Sequence, residues 1–148
     1  MEEHNRVLID KWNEKIKPND IVYHLGDFCF SSLDTQIKMR NKLNGDITII
    51  KGNHDPSVTR LQKIFKTVVK EDLIVELEEH RLILSHKPTE KTIKYPLKYY
   101  WNIHGHEHIK TGLKVRGHRI NVNLIFCDYY PVSEEEIMKL IIETEENE

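Results

Sequence analysis

The chain has 148 residues, of which 39% are hydrophobic and 31% are charged, a composition that fits one globular domain with a single core. Its net charge of −2 and its pI near 6.5 exclude the strongly basic surface that would indicate binding to nucleic acid or to a membrane. The sequence has no apolar stretch of membrane-spanning length and no charged-then-apolar leader, so we expect a cytoplasmic protein with one domain, residues 1–148.

The first half of the chain alternates helical and strand patterns. Apolar residues at helical spacing predict an amphipathic helix at the N-terminus, which Pro18 would end. Short β-branched runs predict strands that lead into Gly26-Asp27 and into Gly52. The predicted elements are helices over 3–16, from 31 to about 43 and over 58–65, and strands starting at 21, over 46–50 and over 68–69.

The second half is richer in strands that pair as hairpins. Ser133 and Glu136 have the spacing of a capping box and predict the start of a last helix. The acidic tail, residues 143–148, is expected to fray. The remaining predictions are a hairpin of 73–77 with 81–84, a loop or irregular helix over 87–98, strands at 99–104, 119–122 and 124–127, and a last helix to about 142.

Residue types that commonly bind metals follow four of the predicted strands. These strand ends are Gly26-Asp27, Gly52-Asn53-His54-Asp55, His86 after 82–85, and His104-Gly105-His106-Glu107-His108 after 99–103. Functional residues of α/β sheets collect at the carboxyl ends of the strands, so we expect these side chains to meet at one site. Any of these motifs alone could be an ordinary polar turn, and their ordered recurrence makes a shared site the better interpretation.

The residue types at these strand ends suit a particular chemistry. Hydrolysis of a phosphate ester requires neutralisation of charge on the phosphoryl oxygens and a hydroxide at neutral pH, and two metal ions about 4 Å apart supply both. Asp27 is the Asp that follows Gly at a strand end and could bridge two metals. Imidazoles with one neutral carbonyl favour transition metals such as Mn, Fe, Zn or Co over Mg or Ca.

The order of these motifs resembles that of the calcineurin-like metallophosphoesterases. The resemblance covers about residues 20–132 and includes Tyr130-Pro131-Val132-Ser133, which is similar to the tail of small bacterial and phage members. It implies a four-layer α/β/β/α sandwich with mixed sheets. It also implies a metal-dependent hydrolase of phosphomonoesters or phosphodiesters, with two metal ions in the family, of which Mn is the first choice and Fe, Zn, Co or Ni are the alternatives.

The same resemblance implies roles for individual residues. Asp27 would bridge the metals, and the ligands of one metal would include Asn53, His86 and His106, while His108 would bind the other metal. A metal-bound hydroxide would attack the phosphorus. His54 would act as an acid or stabilise the phosphoryl oxygens, and Asp55 would fix the tautomer of His54.

The chain departs from the family at its N-terminus. Family members begin with a strand ending in Asp-x-His, which supplies two further metal ligands, and this chain begins on what resembles the family's first helix. We therefore expect a domain that is truncated relative to the family and lacks the first strand, with one metal ion rather than two as an alternative. The gap would expose sheet backbone, which makes a homo-oligomer a further expectation.

Two functional classes follow from this pattern. The first is a metallophosphoesterase acting on a phosphate-ester substrate that the sequence does not name. The second is a catalytically impaired relative, either a fragment or a binding scaffold, because the Asp-x-His motif is absent. Composition and charge give no indication of a membrane partner and no strong indication of a nucleic-acid partner for either class.

Overall fold

The computed structural model describes residues 2–28, 31–89, 100–106, 114–123 and 130–148. In these residues three helices alternate with the strands of a first sheet, and the later strands form a second sheet before the last helix. The elements in chain order are α1 (Glu2–Lys15), β1 (Ile21–His24), α2 (Leu33–Asn41), β2 (Asp46–Ile50), α3 (Val58–Leu61), β3 (Thr67–Val69), β4 (Leu73–Leu77), β5 (His80–Ser85), β6 (Trp101–His104), β7 (Lys114–Arg116), β8 (Arg119–Asn121) and α4 (Glu134–Glu146).

The first sheet has three parallel strands in the order β1-β2-β3. Parallel neighbours require a crossover, and α2 and α3 lie in the two connections. The central strand β2 buries Ile47 and Ile49 almost completely, against Trp12 of α1 and Phe65 beyond α3. This face of the sheet therefore carries one of the two hydrophobic clusters.

The second sheet is mixed, with the order β4-β5-β6-β8-β7. Its central pairs, β5 with β6 and β6 with β8, are parallel, and antiparallel pairs lie at both edges. One apolar cluster joins this sheet to α4 and to β2 of the first sheet through Ile50. Its buried members are Ile50, Leu82, Leu84, Trp101, Ile103, Ile120, Ile137, Met138 and Ile141. The predicted mixed α/β fold with two sheets and flanking helices is confirmed.

Helix α4 begins as predicted and ends later than predicted. Ser133 accepts a hydrogen bond from the backbone N–H of Glu136, and the Glu136 side chain accepts one from the backbone N–H of Ser133, which completes the capping box. The residues expected to fray are helical through Glu146. Nε2 of His80 lies 2.7 Å from Oε1 of Glu145, so a long-range contact holds the acidic end that local sequence would leave free.

Other boundaries differ because pairing and packing decide them. Helix α3 covers one turn, 58–61, instead of the predicted 58–65. Strand β8 pairs antiparallel with β7, a strand over 114–116 that was not predicted. The predicted partner at 124–127 lies outside the described residues, as does most of the predicted loop at 87–98.

Strand β1 forms an edge of the first sheet within the described part of the chain. Its outward residues are unusually exposed for large apolar side chains, with Ile21 at 72% and Tyr23 at 41%. The open edge is compatible with the predicted lack of a neighbouring strand, and both the truncation and the homo-oligomer stay predictions. No helix of the described residues is long and apolar enough to cross a membrane.

Candidate metal centre

Four strand ends bring polar side chains to one place between the two sheets. Asp27 follows β1, Asn53 follows β2, His86 follows β5 and His106 follows β6. Ligand atoms of Asp27, His86 and His106 all lie within 4.8 Å of one another. The convergence follows from topology, because β1 and β2 are parallel neighbours in one sheet and β5 and β6 are parallel neighbours in the other.

The backbone around Asp27 is shaped by two glycines. A Cβ on Gly52 would lie 2.3 Å from Oδ1 of Asp27, and a Cβ on Gly26 would lie 2.7 Å from Nδ1 of His86. Gly26 also has a φ of +99°, and Asp27 itself has a φ of 56°. Two predicted metal ligands, Asp27 and His106, adopt the left-handed region, where non-glycine residues are uncommon. Such strain is typical of functional sites.

His86 is the most buried imidazole of the cluster, with 7% of its surface exposed. Its Nδ1 lies 2.7 Å from the carbonyl oxygen of Leu25, and since a carbonyl can only accept, Nδ1 carries the proton. In the neutral ring the lone pair is then on Nε2. The hydrogen bond to Leu25 thus leaves the outer nitrogen of the neutral ring available as a ligand, the usual arrangement of metal-binding histidines.

Around this nitrogen lie atoms that also carry lone pairs. Nε2 of His86 is 2.7 Å from Oδ1 of Asn53, 3.3 Å from Oδ2 of Asp27 and 3.1 Å from Nδ1 of His106. An amide oxygen, a carboxylate oxygen and the lone pair of a neutral imidazole repel one another unless a cation lies between them. The residues therefore fit a divalent metal ion, and two or more imidazoles favour a transition metal over Mg or Ca.

His54 lies on the solvent side of Asp27, and its side chain is 58% exposed. Its Nδ1 is 3.0 Å from Oδ2 of Asp27, and its backbone N–H donates to Oδ1 at 2.9 Å. Burial acts to raise the pKa of Asp27, but the hydrogen bonds from His54 and the electrostatic attraction of the nearby His86 and His54 rings outweigh it and lower the pKa below its usual value. Asp27 is therefore ionised at neutral pH, the form that binds a cation.

Asp55 has a different role from the predicted one. The sequence indicated that Asp55 fixes the tautomer of His54, but the Asp55 carboxylate accepts hydrogen bonds from the backbone N–H groups of Gly52, Asp27 and Phe28 at 2.7, 2.7 and 2.9 Å. The ring of His54 is instead bonded to Asp27. Asp55 thus joins the loops after β1 and β2, so the tautomer prediction is wrong for this structure.

Two further histidines, His24 and His104, lie beside the loops that carry the ligands. Nδ1 of His24 accepts a hydrogen bond from the backbone N–H of Gly26 at 3.1 Å. Burial lowers the pKa of His24, against the opposing effects of Asp55 and Asp27. His104 is buried, with 3% of its surface exposed. Neither residue is part of the converging ligand set, so both act by packing and by holding backbone.

His108, the predicted ligand of another metal, lies outside the described residues, so its role stays a prediction. Sequence reasoning missed the carbonyl group of Leu25 as the partner of His86. Nothing in the sequence could have indicated this partner, because every residue has the same backbone carbonyl oxygen whatever its side chain. The contact between His54 and Asp27 was missed because the Asp next to His54 in sequence seemed the natural partner.

Comparisons with known proteins show which family and which fold this chain is similar to. The model of the calcineurin-like phosphoesterase superfamily domain matches residues 3–124. The uncharacterized protein MJ1445 of Methanocaldococcus jannaschii is 32% identical over 149 residues, which cover 95% of this chain and 77% of that protein. The crystal structure of AQ665, a protein of unknown function from Aquifex aeolicus, matches with a TM-score of 0.73 and 28% identity over 95% of this chain and 86% of its own.

A second solved structure, a novel archaeal phosphodiesterase, has a TM-score of 0.57 and 23% identity, with 82% of this chain and 76% of that chain covered. At this identity the match shows the fold alone. The family model, in contrast, spans most of the chain and includes all four of the strand ends that meet at the centre. The chain therefore belongs to the calcineurin-like phosphoesterase superfamily.

Proposed function

We propose that this protein is a metal-dependent phosphoesterase whose site is centred on Asp27, Asn53, His86 and His106. The observation that carries the proposal is the convergence of three lone-pair-bearing groups on Nε2 of His86. Mn²⁺ is our first choice of metal, with Fe, Zn, Co and Ni as alternatives. When bound, a divalent cation would offset charge on the phosphoryl oxygens and lower the pKa of a water molecule.

The protein's own groups have separate tasks in this proposal. Asp27 would supply the negative charge that holds the cation, and the Leu25 carbonyl accepts the Nδ1–H of His86, so that Nε2 of the ring faces the cation. His54 is anchored through Nδ1, so Nε2 of its ring is the edge that can donate a proton to the leaving-group oxygen. A carboxylate can only accept, so Nδ1 of His54 donates to Asp27, and this contact orients the ring.

The second candidate is a relative that binds phosphate esters without hydrolysing them. The described ligand set supplies Asp27, Asn53, His86 and His106 for one cation, and among the described strands the one before Asp27 lies at the edge of its sheet. If the chemistry needs a second metal that is not bound, the site would still bind one metal and phosphate but turnover would be absent.

Hydrolysis of bis-p-nitrophenyl phosphate and p-nitrophenyl phosphate, with Mn²⁺ and with EDTA, tests the proposal when metal content is measured on the same sample. A diester is included because the archaeal structural neighbour is named a phosphodiesterase. We expect EDTA to abolish turnover and His54→Ala to lower kcat by about 100-fold or more with unchanged metal content. His80→Ala, at the far end of β5, is the matched control and should keep its activity. Metal binding without turnover of either ester would favour the binding protein.

A further inference from the structure

A cavity of about 340 Å³ lies against one side of the metal centre. Asn53 and His86 form part of its wall, whereas Asp27, His54 and His106 do not line it. The cavity is therefore next to the centre but outside the place where a reacting phosphate would contact Asp27 and His54. Its volume is at the lower end of the range of ligand pockets and suits a small group.

Two lysines of this wall are held close to the ligand loops. Lys51 comes two residues before Asn53. Its backbone N–H donates a hydrogen bond to the carbonyl oxygen of Val69 at 2.9 Å, which continues the pairing of β2 with β3. Lys87 follows His86 directly, and its carbonyl oxygen accepts a hydrogen bond from the hydroxyl of Ser85 at 2.6 Å. Both side chains thus start from backbone that is fixed by hydrogen bonds on either side of the centre.

Neither lysine forms an ion pair with a carboxylate within the described structure. Nζ of Lys51 has one long contact, 3.4 Å to the carbonyl oxygen of Gly52. Glu71 and Asp72 also line the cavity, but they come from the connection between β3 and β4 and neither forms an ion pair with Lys51 or Lys87. The two ammonium groups are therefore available to an anion, and lysine is a common phosphate ligand.

We propose that Lys51 and Lys87 form an anion subsite that binds a second, non-reacting phosphate group of the substrate. The substrate class is then a phosphate ester that carries another phosphate, such as a nucleotide phosphorylated at two positions, rather than a simple monoester of a neutral alcohol. This inference rests on the proposed function, because it assumes that the reacting phosphate lies at the metal centre. If the two lysines were only solvated side chains, the protein would not prefer a ligand with a second phosphate group.

Isothermal titration of the Mn²⁺-loaded, 148-residue protein with AMP and with adenosine 3′,5′-bisphosphate tests the subsite. We expect the bisphosphate to bind about tenfold more tightly, since a hydrogen bond between charged groups contributes enough for that factor. Lys51→Met and Lys87→Met should each remove most of the difference. Lys66→Met is the matched control, because Lys66 is exposed and does not line the cavity, and it should keep the difference.

Equal affinity for the two nucleotides would overturn the proposal, and so would a preference that survives in both lysine variants. Turnover of thymidine 3′-(p-nitrophenyl phosphate), with and without a 5′-phosphate, separates the subsite from the proposed activity. Cleavage of both esters with equal kcat/KM would refute the subsite and leave the phosphoesterase standing. A binding preference that depends on the lysines, without cleavage of either ester, would support the subsite and refute the activity.

Discussion

At the residue scale, Asp55 holds the candidate metal centre together without belonging to the ligand set. Its carboxylate accepts three backbone N–H groups, from Gly52, Asp27 and Phe28, and so joins the loop after β1 to the loop after β2. The residue before it, His54, reaches Asp27 through both its backbone and its ring. The position of Asp27 is thus determined by two consecutive residues of the other loop.

Asp55→Ala should therefore weaken both the fold and the metal centre. Loss of the carboxylate leaves buried N–H groups without a partner, and we expect the free energy of unfolding to fall by about 2–3 kcal/mol in urea with EDTA present. Because Asp27 loses its support, Mn²⁺ affinity should fall by about 10- to 100-fold in a direct titration. Asp55→Asn keeps one accepting oxygen and should have an intermediate effect on both measurements.

An alternative outcome would restore the role predicted from the sequence. If Asp55→Ala had normal stability and normal Mn²⁺ affinity but a changed pH dependence of phosphoester hydrolysis, Asp55 would be acting on the ring of His54. The structure gives no contact of that kind, since the Asp55 oxygens are used by backbone N–H groups and Nδ1 of His54 is used by Asp27.

At the element scale, helix α4 shows which features of a helix are local and which are not. Its start depends on the side chain of Ser133 and on Glu136 three residues later, a pattern visible in the sequence. Its burial depends on Ile137, Met138 and Ile141, which pack on the second sheet. Its end depends on contacts such as that between Glu145 and His80, which are 65 residues apart.

Ser133→Ala should lower the free energy of unfolding by about 1 kcal/mol, because the N-cap hydroxyl satisfies a backbone N–H of the first turn. Chemical denaturation measures the change. Ser133→Asp retains an accepting oxygen at the same position and should be close to the wild type. A loss of the same size in both variants would mean that the side chain stabilises the protein through something other than the cap.

The strands also divide into those that local sequence predicts and those that depend on pairing with distant residues. β2 was predicted with its observed bounds because its apolar run is local, and the hairpin of β4 with β5 was predicted from two adjacent runs. β7 was missed because a strand of three residues over 114–116 has little pattern of its own and exists through its pairing with β8. Helix α3 is shorter than predicted because helical spacing alone does not place a helix end.

At the scale of the whole molecule, the candidate metal centre joins the two sheets. Asp27 and Asn53 follow strands of the first sheet, and His86 and His106 follow strands of the second. A cation bound by all four would act as a cross-link between sheets that otherwise share an apolar cluster through Ile50. Metal binding should therefore increase the free energy of unfolding of the complete fold.

Addition of Mn²⁺ to the EDTA-treated, dialysed protein should raise the Tm. At a free concentration about 100 times the Kd, binding to the native state contributes about 2.7 kcal/mol to the free energy of unfolding. Differential scanning calorimetry measures the change, and His86→Ala should remove it. His80→Ala, which lies outside the cluster, should start from a lower Tm and show the same increase. An increase retained in His86→Ala would place the binding site elsewhere.

By itself, the sequence determined the family, the mixed α/β architecture and the ligand types that follow each strand, because apolar periodicity and short motifs are local properties of the chain. Only the tertiary structure decided which groups touch. It directed Asp55 to backbone, paired His54 with Asp27, oriented His86 through the Leu25 carbonyl and extended α4 to Glu146. Most of these contacts join residues far apart in sequence, such as Asp55 with Asp27 and His86 with Leu25, and packing of the two sheets selects among chemically equivalent partners that no local pattern distinguishes.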